Sequence, residues 1–337
     1  MDSLKGLMIL FVILGHSMLK IYENPFLLLP FFRFISPCVF VFVYLFGLSQ
    51  ERTRKRPGKN LSKIASFFLL YLFWSSISFV LYITLDGKFA DPWVTRTVFG
   101  LSDSNVSNYI LTILTFTGSW QYYFVFVIII LLFISIFIRK ASSVFNVILL
   151  GAVGNGLFIS YWAVFQERLL PPVLGAFLTY LNPLHWMFPF ILGYKDAQEG
   201  KIRDDVNLKT IIVFSILLIA GSFEYWYAYR KFHTLVGTDQ FSVFTILLGV
   251  YGLPVFIRIS RYLNLRIIKK MGRYSFLLFI THMPLQWFVY VFLDGYLNLP
   301  KWLWVILMVV SSIIFVDVLT KVARYLPGYL RKTVIGF

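Results

Sequence analysis

The chain opens at residues 1–18 with MDSLKGLMILFVILGHSM, an apolar stretch that carries a lysine at position 5 and a histidine at position 16. Eleven residues of α-helix turn through about 1100°, which is about 20° past three full rotations, and rise about 16 Å. Lys5 and His16 therefore share one face of the predicted helix. Ionisable groups are rare inside membrane-spanning helices, so their presence in one indicates a functional role.

The composition excludes a soluble domain. Of the 337 residues, 59% are hydrophobic and only 14% are charged, which would leave large apolar patches facing water. We therefore predict an all-α fold, a polytopic bundle of membrane helices. Cys38 is the single cysteine, which excludes an internal disulfide and a cysteine-rich metal site. No metal and no bound cofactor are expected.

Ten runs of the sequence approach the roughly 20 apolar residues that a membrane span needs. These runs are 6–22, 30–50, 64–84, 119–138, 144–165, 181–194, 209–226, 241–259, 274–293 and 302–322. The sixth run is short and holds two prolines, so we expect a kink or an earlier start after Pro172. A further apolar piece, 109–116, is too short to cross alone and is interpreted as interfacial or re-entrant. One transmembrane domain over 1–323 and a short basic cytoplasmic tail over 324–337 are predicted.

The basic residues predict the orientation of the chain. With a cytoplasmic amino terminus, 23 Lys and Arg fall on the inner side and seven on the outer side, with Arg33 inside the second run. Because short cytoplasmic loops are enriched in Lys and Arg, both termini are predicted inside and the number of crossings even. The net charge of +16 is attributed to these loops and not to nucleic-acid binding. The expected location is a bacterial plasma membrane, in contact with its lipid.

Four short motifs occur in a fixed order along the chain. The first comprises Asp2, Leu4, Lys5, Gly6 and His16, with ten residues between the lysine and the histidine. The others are SWQYYF from Ser119, FILGY from Phe190 and MGRYSFLLFITH from Met271. This ordered set resembles the membrane acyltransferase 3 family, over residues 2 to about 282. The resemblance implies about ten helices and an acetyl-coenzyme A donor that enters from the cytoplasm as a substrate.

The chain departs from that family pattern in three places. Lys5 stands where the family usually has arginine, which keeps the charge but loses the planar fork suited to bidentate phosphate contact. The family's Ser-Gly pair in the second helix has no clean counterpart, and its paired arginines at the third helix are not reproduced. Arg52, Arg54, Lys59 and Lys63 are the candidates to replace those arginines and bind the nucleotide end of the donor. A solvated basic loop is the alternative interpretation of this cluster.

Acyl transfer from a thioester to an alcohol needs a base that takes the hydroxyl proton, and imidazole is well suited to this step. We place His16 in the catalytic set as that base, a role that the resemblance also implies. Lys5 belongs to the same set, at the cytoplasmic entrance to the helix face that leads to His16. The alternatives are a packing histidine at position 16 and a positive-inside anchor at position 5. Direct transfer is preferred to a covalent intermediate, with Ser17 as the alternative nucleophile.

Four further residues are candidates for binding the acceptor. Arg33 lies within the second run, where an unpaired guanidinium costs at least a few kcal/mol, so it needs a partner, a wet cavity or an outward snorkel. Trp120 is a candidate for stacking on a sugar ring, against a lipid-facing alternative. His282 has a counterpart in the family, although a core histidine is as plausible. Glu224 lies towards the outer end of its span, either at an acceptor entrance or in the interface.

The expected function is an integral membrane O-acyltransferase that moves acetyl from cytoplasmic acetyl-coenzyme A to a sugar hydroxyl. The resemblance implies a cell-surface or lipid-linked polysaccharide, such as a capsule, as acceptor. The alternative is a transporter or flippase for a glycan or lipid precursor, which predicts inverted-repeat symmetry. A lipid-sensing receptor is a third interpretation. Asp317 and Lys321 are expected to form a helical ion pair outside the chemistry.

Overall fold

The computed structural model describes residues 1–21, 28–53, 57–84, 110, 120–138, 140–165, 182–201, 203–232, 242–263, 265–293, 299–328, 331 and 334. All regular elements in these ranges are helices, which confirms the all-α fold. They are α1 (Asp2–Ile21), α2 (Leu29–Ile35), α3 (Cys38–Thr53), α4 (Pro57–Thr84), α5 (Tyr123–Phe137), α6 (Ala141–Phe165), α7 (Pro183–Gln198), α8 (Leu208–Phe232), α9 (Val243–Tyr262), α10 (Arg266–Arg273), α11 (Ser275–Leu293) and α12 (Lys301–Val322). Short 3-10 helices at Trp120–Tyr122 and Ala323–Tyr325 precede α5 and follow α12.

Every predicted span coincides with helix. Within the described ranges, six helical segments are long and apolar enough to cross a membrane: Leu29–Glu51, Leu61–Val80, Ala141–Trp162, Leu208–Lys231, Val243–Tyr262 and Lys301–Tyr325. The four remaining predicted spans coincide with α1, α5, α7 and α11. The polytopic bundle is thus confirmed, whereas the count of about ten crossings stays a prediction. The predicted interfacial piece 109–116 lies outside the described residues, apart from Ile110.

Prolines shape the second and sixth predicted spans in different ways. The second span is two helices, α2 and α3, which meet at a turn over Ser36 and Pro37. The sixth begins at Pro183, where the side chain of Asn182 accepts a hydrogen bond from the Leu184 N–H at 3.0 Å, and it continues through Pro189 as one helix. A proline at the first helical position fits because its missing N–H would be unpaired there in any case. The stretch after Pro172 lies outside the described residues.

The described residues group into two compact units. The first comprises Met1–Val12, Asn24–Pro57 and Ile134–Arg273, and the second comprises Ile13–Glu23, Gly58–Phe133 and Tyr274–Phe337. Each unit therefore draws on segments that are far apart in the sequence.

In the first unit, α3 and α7 approach each other through glycines. A Cβ atom added at Gly47 would lie 2.1 Å from the Phe190 carbonyl oxygen, and one at Gly193 would lie 2.0 Å from that of Tyr44. Close backbone contact of this kind is typical of membrane helices that pack through small residues.

Ion pairs in the first unit join segments that the charge count places on the inner side. Arg203 contacts Asp196 at 2.6 Å, and Arg261 pairs with Asp204. Arg273 contacts Asp2 at 3.4 Å. The amino terminus and the segments around residues 195–209 and 258–273 therefore lie close together. This proximity agrees with their location on one side of the membrane. That this side is the cytoplasm stays a prediction.

In the second unit, the later part of α1 packs against α11 and α12. Trp304, Val305 and Met308 form a buried cluster that Leu14 and Met18 of α1 contact. The predicted tail touches this unit as well, because Trp74 Nε1 donates a hydrogen bond to the Val334 carbonyl at 3.2 Å. The ion pair expected on α12 is confirmed, with Lys321 Nζ 3.1 Å from Asp317 Oδ2.

The glycine contact between α3 and α7 yields a first prediction. Gly47→Ala should lower the free energy of unfolding by about 1–3 kcal/mol, because the added methyl group forces two backbones apart. Gly154→Ala is the matched control, since nothing lies within 4 Å of a Cβ added there. Thermal unfolding in detergent checks both variants. Equal stability of the two would contradict the packing described.

Candidate active site

Helix α1 carries Lys5 and His16 on one unbroken run of α-helix from Asp2 to Ile21. This confirms the predicted placement of both side chains along one helix face. Both side chains are half-buried, so neither points fully away from the protein. The helix thus offers a cation near its first turn and an imidazole about 16 Å further along.

The first turns of α1 pack directly on α10. A Cβ atom at Gly6 would lie 1.9 Å from the Ile268 carbonyl oxygen, and one at Gly272 would lie 1.8 Å from that of Asp2. Only glycine permits such an approach at these two positions. Lys5 therefore belongs to a helix end that α10 covers closely.

Sequence reasoning missed α10, which it treated as part of a basic loop. The helix buries Ile268, Met271 and Gly272 and exposes Arg266, Lys269, Lys270 and Arg273. The signal was present in the spacing of the apolar residues, at i, i+3 and i+4 within RIIKKMGR. The result is a basic helix packed against the start of α1.

The structure brings together two histidines that the sequence assigned to separate roles. The ring centroids of His16 in α1 and His282 in α11 are 5.2 Å apart, with the rings tilted by 41°. His282 is fully buried, whereas His16 keeps part of its surface exposed. We call these two residues the histidine pair.

The surroundings of His282 define which of its nitrogens carries the proton. Nδ1 lies 2.9 Å from the Phe279 carbonyl oxygen and 3.0 Å from that of Leu278. Because carbonyl oxygens only accept hydrogen bonds, Nδ1 is the donor and Nε2 of the neutral ring is left with a lone pair. Nε2 is buried and has no hydrogen-bond partner in the described part of the chain.

Ser17, next to His16, is held by hydrogen bonds. Its hydroxyl donates to the Ile13 carbonyl at 2.7 Å and accepts from Gln286 Nε2 at 2.8 Å. Neither partner is a base that could activate the hydroxyl for attack, so this geometry favours direct transfer over Ser17 as the nucleophile. Gln286 lies four residues after His282, and the two bonds tie α1 to α11 beside the histidine pair.

The 3-10 helix at Trp120–Tyr122 also touches α11. Gln121 is buried, and its Nε2 donates to the Ile280 carbonyl oxygen at 3.0 Å. The side chain of Trp120, the candidate for stacking on a sugar, lies outside the described residues. Its backbone nevertheless belongs to a segment that contacts the helix of His282.

Arg33 and Glu224 form a buried ion pair in the first unit. Arg33 is fully buried, and its Nη2 lies 2.6 Å from Glu224 Oε2 and 2.8 Å from Ser242 Oγ. Nη1 donates to Thr245 Oγ1 at 2.8 Å, and the guanidinium carbon lies 4.4 Å from the Tyr225 ring centroid. Of the alternatives expected for Arg33, the structure shows a buried partner. These contacts join α2, α8 and the start of α9, and the acceptor role of the pair stays a prediction.

The proposed donor-binding residues are described in part only. Lys63 is half-buried on α4. The side chains of Arg52 and Lys59, and all of Arg54, lie outside the described residues. Their role in binding the donor stays a prediction.

A comparison with protein families finds a match to the acyltransferase domain, Acyl_transf_3, over residues 1–321. The matched range includes α1, α10 and α11 and therefore both histidines of the pair. No curated protein and no solved structure matches the chain.

The buried ion pair yields a second prediction. Glu224→Leu should lower the free energy of unfolding by about 3–5 kcal/mol, because it leaves a buried guanidinium without its carboxylate. Adding Arg33→Met should recover much of that loss, since an apolar pair of similar volume needs no charge partner. Thermal unfolding of both single variants and the double variant gives the coupling. Additive losses would show that the two charges do not depend on each other.

Proposed function

The chain belongs to the acyltransferase 3 family, and on that premise we propose that it moves acetyl from cytoplasmic acetyl-coenzyme A to a sugar hydroxyl. The acceptor we propose is a cell-surface or lipid-linked polysaccharide, and the location a bacterial plasma membrane. The chain is a multi-pass membrane acyltransferase, which favours this function over a transporter or flippase. The observation that carries the proposal is the partly exposed imidazole of His16 beside a second, buried imidazole.

His16 acts as the general base in this proposal. Its ring makes no hydrogen bond among the described residues, so a lone pair is available for an incoming hydroxyl. The base takes the hydroxyl proton while the oxygen attacks the thioester carbonyl carbon. The carbon–sulfur bond then breaks, and the thiolate of coenzyme A takes the proton from the imidazolium. The products are the acetyl ester and the free thiol.

The donor's phosphates bind at the beginning of α1 in this proposal. Lys5 supplies a cation there, and the exposed basic side chains of α10 lie on the helix that packs against this end. Phosphates pair well with such cations. The pantetheine arm then extends along α1 for the roughly 16 Å that separate Lys5 from His16. Arg52, Arg54, Lys59 and Lys63 are proposed as additional contacts to the nucleotide.

The acceptor sugar is proposed to meet the acetyl group at the histidine pair. Trp120 is the proposed stacking surface, because its 3-10 helix contacts α11 through Gln121. Arg33 and Glu224 remain proposed acceptor contacts nearer the outer ends of their helices. If the folded double variant of that ion pair keeps full acyl transfer, the pair serves structure alone.

The base role gives a third prediction. His16→Ala should reduce acetyl transfer by about 100-fold or more at unchanged protein level, because it removes the proton acceptor. Purified protein with labelled acetyl-coenzyme A, scored for hydrolysis and for label on candidate glycans, measures this. Ser17→Ala is the control, and direct transfer predicts that it keeps most of the activity. Retained transfer in the His16 variant would exclude the base role.

The donor contact gives a fourth prediction. Lys5→Gln should raise the KM for acetyl-coenzyme A by about tenfold and leave kcat nearly unchanged, because it weakens a contact made equally before and during the reaction. Lys5→Arg keeps the charge and should stay close to wild type. Steady-state kinetics with varied donor concentration separates the two constants. An unchanged KM in the glutamine variant would contradict donor binding by Lys5 and favour its alternative role as a positive-inside anchor.

A further inference from the structure

We propose that His282 is a positioning residue for His16, a role that rests on the proposed function. Nε2 of His282 accepts the N–H of one His16 nitrogen. The other His16 nitrogen then keeps its lone pair for the acceptor hydroxyl. His282 thereby selects the tautomer of the base.

The backbone around His282 selects one tautomer of its ring. Two carbonyl oxygens of its own helix, at 2.9 and 3.0 Å, hold the proton on Nδ1. Nε2 of the neutral ring can therefore only accept a hydrogen bond. The group that bonds to Nε2 must therefore be a hydrogen-bond donor.

His16 is the neighbour that can donate to Nε2. The ring centroids are 5.2 Å apart and the rings are tilted by 41°, a separation at which a small ring rotation brings the facing edges to N–H···N distance. The bonds from Gln286 to Ser17 hold α11 against α1 beside the pair. This contact lies next to the histidine pair on the same two helices.

The difference in exposure distinguishes the base from its support. His282 is fully buried, whereas His16 is partly exposed, so of the two rings it is His16 that offers surface to a hydroxyl. The buried ring of His282 is then the positioning group, and the exposed ring of His16 is the base. This is the arrangement in which one fixed group orients a base towards its substrate.

The bond between the two rings also lowers the energy of the transition state. In the resting protein it gives the buried Nε2 of His282 a neutral donor, without which this nitrogen would be unfavourable. When His16 takes the hydroxyl proton it becomes a cation, and the same N–H···Nε2 bond becomes charge-assisted. Because this bond is stronger in the transition state than in the ground state, it accelerates the reaction instead of merely tightening binding.

A pair of isosteric variants tests the proposal. His282→Asn retains an amide N–H near the Nδ1 position and so keeps the donation to the backbone carbonyls. It loses the acceptor at the Nε2 position. His282→Gln places an amide oxygen near the Nε2 position and so keeps the acceptor. A residue that only packs or caps its helix would be replaced better by asparagine than by glutamine.

We expect His282→Asn to fold like wild type and to lose about 100-fold in kcat, with little change in KM for donor or acceptor. We expect His282→Gln to recover at least about tenfold of that loss. Thermal unfolding in detergent establishes that both variants are folded. Wild-type kcat in the asparagine variant, or equal activity of the two variants, would overturn the proposal.

A second measurement uses the unmodified protein. The chain contains four histidines, so ¹⁵N-histidine NMR in lipid nanodiscs can be assigned by substituting them singly. We expect the His282 signals to show a protonated Nδ1 and an unprotonated Nε2 that accepts a hydrogen bond. A proton on Nε2 would overturn the proposal even if both variants failed to fold. If wild type transfers no acetyl, or His16→Ala remains active, the proposed function itself fails instead.

Discussion

The core of a bilayer offers no water, so a polar side chain inside an apolar helix needs its partner within the protein. Arg33 pairs with Glu224, Ser17 bonds to Gln286, and Gln121 donates to a backbone carbonyl of α11. Each of these contacts joins helices that are distant in the sequence. The first contact lies within the first unit, and the other two lie within the second unit, beside the histidine pair. Nε2 of His282 is buried without a hydrogen-bond partner among the described residues, and His16 is the donor that we propose for it.

Close backbone contacts through glycine hold helices together in the first unit. Gly6 and Gly272 allow α1 and α10 to touch backbone to backbone, and Gly47 and Gly193 do the same for α3 and α7. Dispersion attraction across such contacts replaces the hydrophobic driving force that lipid removes. The start of α1 is therefore held against a basic helix. Its later part is packed on α11 and α12 through Leu14 and Met18.

Hydropathy and charge were enough to predict the helical spans, the ion pair of Asp317 with Lys321 and the need of Arg33 for a partner. These are properties of one helix or one side chain. The pairing of His16 with His282 could not be predicted, because no local pattern connects residues on two helices so far apart in the sequence. The helix α10 was missed for another reason. Its lysines and arginines were counted as loop charges that orient the chain, and the helical spacing of its apolar residues was overlooked.

We propose that the face of α1 with Lys5 and His16 guides a thioester to the imidazole. The most direct measurement is a cryo-EM structure of the protein bound to a non-transferable acetyl-coenzyme A analogue. The predicted result places the phosphates near Lys5 and the carbonyl carbon within a few ångströms of His16, so that a hydroxyl held by the imidazole can reach it. An analogue bound with its acyl end away from His16 would contradict the account.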